Sequence, residues 1–317
     1  MSKRHNAPAT TPAGRAGGPA GRVERGRHRV TRPVTWMALA TALLATAAAV
    51  LLGPGLSSAA TATPTPTATA STTASTTAPA TTASTAPPAA AGRSTCDQYG
   101  SFPVAGGKYV VQNDRWGAVT DQCLTGFDTG FTVTKALHTN NTGPAGYPSI
   151  YRGCNFGYCT AGSPFPAPVA TLGALRSSWS TTGPTAVGTQ QYNTAYDLWF
   201  DPTKTNPGRN TGAELMVWLN RTPWVQPLGR HYYDTTIAGR RWQVWYGQAN
   251  PPVISYVQIA PTRSVSNLAL DAFVRDATLR GVVKPAWYLT SVQAGFEPWT
   301  GGTGLSTTSF SVTRNGS

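Results

Sequence analysis

From Lys108 onward, short runs rich in Val, Ile, Thr, Tyr, Phe and Trp alternate with clusters of Gly, Pro, Asn and Asp. That rhythm predicts strands bounded by turns, and strands in this number and spacing build a sandwich or jelly roll. The runs at 109–113, 131–137, 176–181, 192–200, 213–220, 242–246, 253–259, 286–297 and 309–313 are the expected strands. One segment breaks the pattern. Residues 267–280 put Leu268, Ala272 and Leu279 on a helical stripe, with Ser266 as N-cap and Gly281 in the stop position. A single helix in such a domain is expected to cover the outer face of a sheet.

Successive side chains of a strand point to opposite faces, so the same runs sort their residues into two sets. Between 214 and 219, Leu215, Val217 and Leu219 make an ordinary core face, while Glu214, Met216 and Trp218 share the other. A carboxylate, a thioether and an indole in a row read as the floor of a sugar-binding groove. Asp197 and Trp199 likewise oppose Tyr196, Leu198 and Phe200, and Gln293, Gly295 and Glu297 oppose Val292, Ala294 and Phe296. Three strands thus each present an acidic or polar face behind an apolar one.

Composition sharpens the reading. The 223 residues from Thr95 contain two glutamates, Glu214 and Glu297, both within aromatic strand-like sequence. A pair of carboxyls flanking one bond is the apparatus of glycoside hydrolysis. The alternative is that both are structural carboxylates held by hydrogen bonds, at the cost of burying charge. The same stretch carries nine Trp and twelve Tyr. Flat aromatic faces stack on sugar rings while their polar edges meet hydroxyls. Most such residues belong to the core; Trp116, at a strand end, is the one expected outside it.

The net charge of +13 invites a nucleic-acid partner, but residues 1–33 hold eight Lys or Arg against Glu24 alone. The remainder is mildly basic without a long cationic run, and no nucleic-acid partner is expected. Residues 34–52 then form an uncharged apolar run followed by small residues, the order of an export signal cleaved near Ala60 or Ala62. Its 19 residues also suffice for a membrane anchor if cleavage fails. Either way the domain is placed outside the cytoplasm, secreted in the first case. The expected organisation is 1–60 basic segment and signal, 61–94 Thr/Ala/Pro/Ser spacer, and 95–317 catalytic domain. An even set of four cysteines in an exported chain favours disulfides, most simply Cys96–Cys123 and Cys154–Cys159. Zinc is the alternative use, but Cys154 and Cys159 lack its usual spacing, so no metal and no cofactor is expected.

The ordered motifs Asn-Asp-Arg-Trp-Gly at 113–117, Tyr-Pro-Ser-Ile-Tyr-Arg-Gly-Cys at 147–154, Tyr-Asp-Leu-Trp-Phe at 196–200, Glu-Leu-Met-Val-Trp-Leu-Asn at 214–220 and Gly-Phe-Glu-Pro-Trp at 295–299 go further. In sequence and spacing the chain from Cys96 resembles glycoside hydrolase family 12, bacterial type. The resemblance implies an all-β jelly roll of two antiparallel sheets with a concave cleft, and retaining endo-hydrolysis of β-1,4-glucans by a monomer. By position it implies Glu214 as nucleophile, Glu297 as general acid/base, Asp197 as the aspartate beside the nucleophile, and Trp116 as a substrate-stacking ring. Asn113, Asp114, Met216, Trp218 and Asn155 are the further substrate-binding candidates, and the disulfide pairing above matches bacterial members. Two positions depart from the family pattern: Asp114 stands where Asn is frequent, and Asn155-Phe156 follows the third cysteine where His and an aromatic are frequent.

The alternatives within this reading are a xyloglucan-specific endoglucanase and, from another class, a non-catalytic polysaccharide-binding sandwich. Two intact glutamate motifs argue against the second. A serine hydrolase needs a histidine base, and neither His138 nor His231 lies in a setting that suggests one.

Overall fold

The computed structural model describes residues 92–184 and 188–316. The basic segment, the apolar run and nearly all of the spacer lie outside the described residues. The strands are, in chain order, β1 (Arg93–Thr95), β2 (Ser101–Val104), β3 (Tyr109–Gln112), β4 (Gln122–Phe127), β5 (Gly130–Thr139) and β6 (Ser149–Asn155). Then come β7 (Tyr158–Cys159), β8 (Ala167–Pro168), β9 (Leu175–Thr182), β10 (Gln191–Asp201), β11 (Ala213–Arg221) and β12 (Arg230–Ile237). β13 (Arg240–Gly247), β14 (Val253–Gln258), β15 (Ser264–Ala269), helix α1 (Leu270–Leu279), β16 (Tyr288–Gly302) and β17 (Ser306–Arg314) complete the series.

Two layers result. The outer runs β1-β4-β5-β17-β9-β15, antiparallel throughout. The inner runs β2-β3-β6-β16-β10-β11-β14-β13-β12, antiparallel except for β11–β14. That parallel pair needs a crossover, which the β12–β13 hairpin supplies. The far end of β5 turns to pair with Thr300–Gly302 of β16, so the layers curl into one another. This is the expected jelly roll.

Alternation decides where the core sits. Leu215, Val217 and Leu219 of β11, with Tyr196, Leu198 and Phe200 of β10, are fully buried in the main cluster between the layers. Trp179 of β9 crosses the gap, its ring 4.8 Å from that of Tyr196 and 6.2 Å from that of Phe296. Met216 and Trp218 fall instead in a second, smaller cluster on the concave face.

All nine expected strands are present. The pattern missed strands at sheet edges, strands with broken alternation and, in β4, one with Gln122 and Gly126 on its buried face. β12 has exposed Arg230, His231 and Tyr232 in its first turn of sequence, and β6 carries Gly153 at φ +125°. Two boundaries are corrected. Arg93 and Ser94, expected in the spacer, pair with β4, because the Cys96–Cys123 disulfide holds this edge against it and Ser94 Oγ lies 2.7 Å from Thr125 Oγ1. The second disulfide is Cys154–Cys159.

The helix begins at Leu270, not 267, and Ser266 is not its cap. Residues 264–269 are claimed by pairing with β9 through a bulge, where Asn267 takes φ +52° and its N–H donates to Ser178 Oγ. The stripe is correspondingly rephased to Leu270, Phe273, Val274 and Ala277, leaving Leu279 87% exposed. Phe273 packs edge-on against Trp242 and Tyr256, on the face of β13 and β14 opposite the cleft. At the other end Gly281 N–H donates to Thr278 O and Val282 N–H to Ala277 O, the paired bonds of a Schellman stop with glycine at φ +75°. No helix among the described residues is long and apolar enough to cross a membrane.

Candidate active site

The concave face of the inner layer encloses a cleft of about 1220 Å³. Its central lining comes from the second face of the central strands: Glu214, Met216 and Trp218 of β11, Asp197 and Trp199 of β10, Gln293 and Glu297 of β16. Strand register sets their order. Asp197 lies opposite Met216 on one side and Gln293 on the other, while Trp199 faces Glu214 and Asn193 faces Glu297. The two glutamates therefore sit on opposite walls, displaced along the strands, with Asp197 between them. Gly295, on the same face between Gln293 and Glu297, has no room for a side chain, since a Cβ there would come within 2.4 Å of Pro148 O.

Each carboxyl has a distinct holder. Asn193 Nδ2 donates to Glu297 Oε2, and Asn193 Oδ1 accepts from the Glu297 backbone N–H at 3.2 Å. Trp199 Nε1 donates to Asp197 Oδ2 at 2.7 Å, whereas Asp197 Oδ1 is buried with no hydrogen-bond partner among the described residues. Arg209 lines the cleft near Glu214, its guanidinium 5.9 Å from the centre of the Trp199 ring.

Burial disfavours the charged form of all three acids. It pushes Glu297 up to about 7, against the Asn193 hydrogen bond that lowers it. Burial and then the Glu297 charge raise Glu214, while Arg209 draws it down. Asp197 is raised well above the usual carboxylate range by burial, then by the charges of Glu214 and Glu297, with the Trp199 bond acting the other way. Three carboxyls so placed cannot all ionise near neutral pH, and protons are retained among them.

The other expected site residues divide. Trp116 lines the cleft and is 49% exposed. Asp114 lines it too, in a left-handed conformation (φ +41°) that Asp and Asn adopt more readily than other side chains, with burial raising its carboxyl to about 6. Asn155 is at the cleft, its Nδ2 donating to Gln112 Oε1 at 3.0 Å. Met216 and Trp218 are floor residues, joined by a 3.4 Å contact from the indole N–H to the sulfur. Asn113 is a correction: it is fully buried and does not line the cleft. Its Nδ2 donates to Asp97 O and Gln122 O, and its Oδ1 accepts from Gln122 Nε2, so it fixes the loop that carries Trp116.

The sequence reading missed Asn193, Arg209, Gln112 and Tyr147. Gln112 Nε2 donates to Gln293 Oε1 at 2.9 Å, and Tyr147, also in the cleft lining, donates its hydroxyl to Ala195 O at 2.7 Å. His138 is buried between Thr120 Oγ1 and Gln122 Oε1 and pushed down to about 4, chiefly by burial; His231 pairs with Asp234 on an exposed strand. Neither touches the cleft.

The loop bearing Arg209 is clasped by Asp201. Its carboxylate accepts from Thr203 N and Oγ1, Asn206 Nδ2, and Thr211 N and Oγ1. Burial alone would raise this acid, yet the hydrogen bonds outweigh it and bring it to about 2. A folded pKa below the unfolded one contributes stability that is complete above about pH 4 and disappears as pH falls through about 2. Asp201→Asn is therefore expected to destabilise by about 2 kcal/mol at pH 6 and to narrow that gap toward pH 2, read by urea unfolding across the range.

Comparison with known proteins places this geometry. The family model described as Glycosyl hydrolase family 12 matches residues 107–315. A metagenome-derived glycoside hydrolase family 12 endoglucanase superposes with a TM-score of 0.68 at 43% identity, covering 71% of this chain and 98% of its own. An endoglucanase from Rhodothermus marinus gives 0.67 at 44% identity, covering 70% and 99%. A family 12 xyloglucanase from Bacillus licheniformis gives 0.63 at 25% identity, covering 70% and 100%.

Proposed function

The chain belongs to glycosyl hydrolase family 12, and from that premise we propose that it cuts internal β-1,4-glucosidic bonds of cellulose and related β-glucans by a retaining double displacement. The observation that carries this reading is the placement of the two glutamates on facing walls of an open, aromatic-floored cleft. Glu214 attacks the anomeric carbon while Glu297 donates a proton to the departing glycosidic oxygen. Water then enters with Glu297 as base, and the glycosyl–Glu214 ester is hydrolysed.

The roles require charge on Glu214 and a proton on Glu297. Burial and like charge alone raise Glu214 no less than its partner, so another group must stabilise its anion. Asp197 is suited to do so: held neutral by its surroundings, it can donate from the unpartnered Oδ1 to Glu214, and a hydrogen bond to the charged form lowers a pKa. The Arg209 cation acts in the same sense. Glu297, at about 7, is then protonated at mildly acidic pH and reverts to a base after the leaving group departs.

Greater similarity to the two endoglucanases named above than to the Bacillus licheniformis xyloglucanase supports unbranched glucan as substrate. The paired disulfides support an exported domain. Carboxymethylcellulose and mixed-linkage β-glucan are expected to lose viscosity faster than they gain reducing ends, with initial products of β configuration by NMR. Release of glucose alone would contradict endo-cleavage. Turnover of xyloglucan without turnover of undecorated glucan would reassign the substrate, and initial α-product would rule out retention.

A further inference from the structure

One large aromatic side chain stands beside the cleft without belonging to its lining. β11 ends at Arg221, the register partner of Asn193, which grips Glu297. The next four residues, Thr222–Val225, form a turn closed by Val225 N–H donating to Thr222 O at 3.1 Å. Its conformation is strongly fixed. Pro223 locks φ at the second position, and Arg221 Nη1 donates to Pro223 O and Val225 O. Thr222 exchanges bonds with Tyr192 on β10, its N–H donating to Tyr192 O and its Oγ1 accepting from Tyr192 N–H. Val225 is buried in the small cluster under the cleft floor, and residues 226–229 directly after it line the cleft. Between these anchors Trp224 is 81% exposed.

Nothing in the turn requires an indole, and a chain that tethers one so firmly while leaving it in solvent presents a preformed stacking surface at low entropic cost. Its place relative to Trp116 supplies the occupant. Trp116 follows β3, and its loop is tied to the wall of Glu297 through Gly117 N–H to Ala145 O and Ala145 N–H to Pro298 O. In the inner layer β3 and β11 lie on opposite sides of β16 and β10. The two exposed tryptophans thus follow strands on opposite sides of the β16–β10 pair that carries Glu297 and Asn193.

We propose that Trp224 is an additional glucan-binding platform, stacking on a sugar ring of the leaving-group side of the chain after it passes residues 226–229, with Trp116 serving the retained side. The inference rests on the hydrolytic reading above, and it makes chain length the variable. An aryl β-cellobioside places its two sugars on the retained side, whereas cellohexaose reaches both. In the full chain, Trp224→Ala is expected to lower the ratio of kcat/KM on cellohexaose to that on the aryl cellobioside by about tenfold, mainly through KM, because one stacking contact is removed. Trp224→Phe, which keeps a flat ring, is expected to recover most of the ratio. An unchanged ratio in Trp224→Ala overturns the platform, as does an equal fall on both substrates that Trp224→Phe fails to restore. Absence of hydrolysis of either substrate by the unaltered protein would instead overturn the enzymatic reading itself.

Discussion

Glu214→Gln should reduce hydrolysis of every glucan by about 10⁴-fold or more, since in the proposed mechanism Glu214 is the nucleophile and its loss removes the covalent route and not merely a contact. The substitution keeps shape and deletes charge. Its effect on stability should have the opposite sign. Glu214 is raised in the folded protein by burial and by the Glu297 charge, with Arg209 lowering it. An acid whose folded pKa lies above its unfolded value weakens the fold progressively as pH rises from the unfolded toward the folded pKa. The amide does not titrate, so Tm of the variant is expected to match the parent near pH 4 and to exceed it at pH 8. Thermal unfolding at both pH values, beside turnover of mixed-linkage glucan, checks the pair of expectations. Retained turnover would remove Glu214 from the site, and a variant less stable at pH 8 than at pH 4 relative to the parent would mean that Asp197 and Arg209 lower this carboxyl by more than burial and the Glu297 charge raise it.

That coupling of strain and function explains what was legible in the sequence. Period-two alternation in β10, β11 and β16 separates a fully apolar face from one bearing Asp197, Glu214 and Glu297, and the structure keeps that division at every position of Leu215, Val217, Leu219, Val292, Ala294 and Phe296. Local sequence says nothing of which side chains from different strands meet. Asn193 reaches Glu297 from a neighbouring strand across 104 positions of chain, and Gln112 reaches Gln293 across 181. Asn113 shows the converse limit, because a motif marks a residue without saying whether its amide faces sugar or braces a loop. Arg209 lies in a polar turn indistinguishable by composition from any solvated loop; its relevance follows from the Asp201 clasp that sets the turn against Trp199. The helix was found, but its phase was misread, since the bulged pairing of β15 with β9 takes residues that helical spacing alone would assign to the first turn.

Glu297→Ala is the complementary case, and its outcome depends on the leaving group. With natural glucans, whose departing sugar alkoxide needs a proton, kcat/KM is expected to fall by about 10² to 10⁴-fold. With an aryl cellobioside carrying a dinitrophenolate leaving group, formation of the glycosyl ester at Glu214 should proceed, and the slow step becomes its hydrolysis without a base. Asn193, which in the parent holds Glu297, would then lose this partner. Azide needs no general base, so its addition is expected to restore turnover and to give a β-glycosyl azide, the net result of two inversions at the anomeric carbon. The pH profile supplies an independent check. The alkaline limb of kcat/KM on the natural substrate should reflect loss of the Glu297 proton near pH 7 and should be absent from glycosylation by Glu297→Ala. An α-glycosyl azide would mean that azide attacks the substrate directly and that no ester forms on Glu214. An unaltered alkaline limb would assign the titrating proton to another group, with Asp197, the remaining carboxyl between the two walls, the next to substitute.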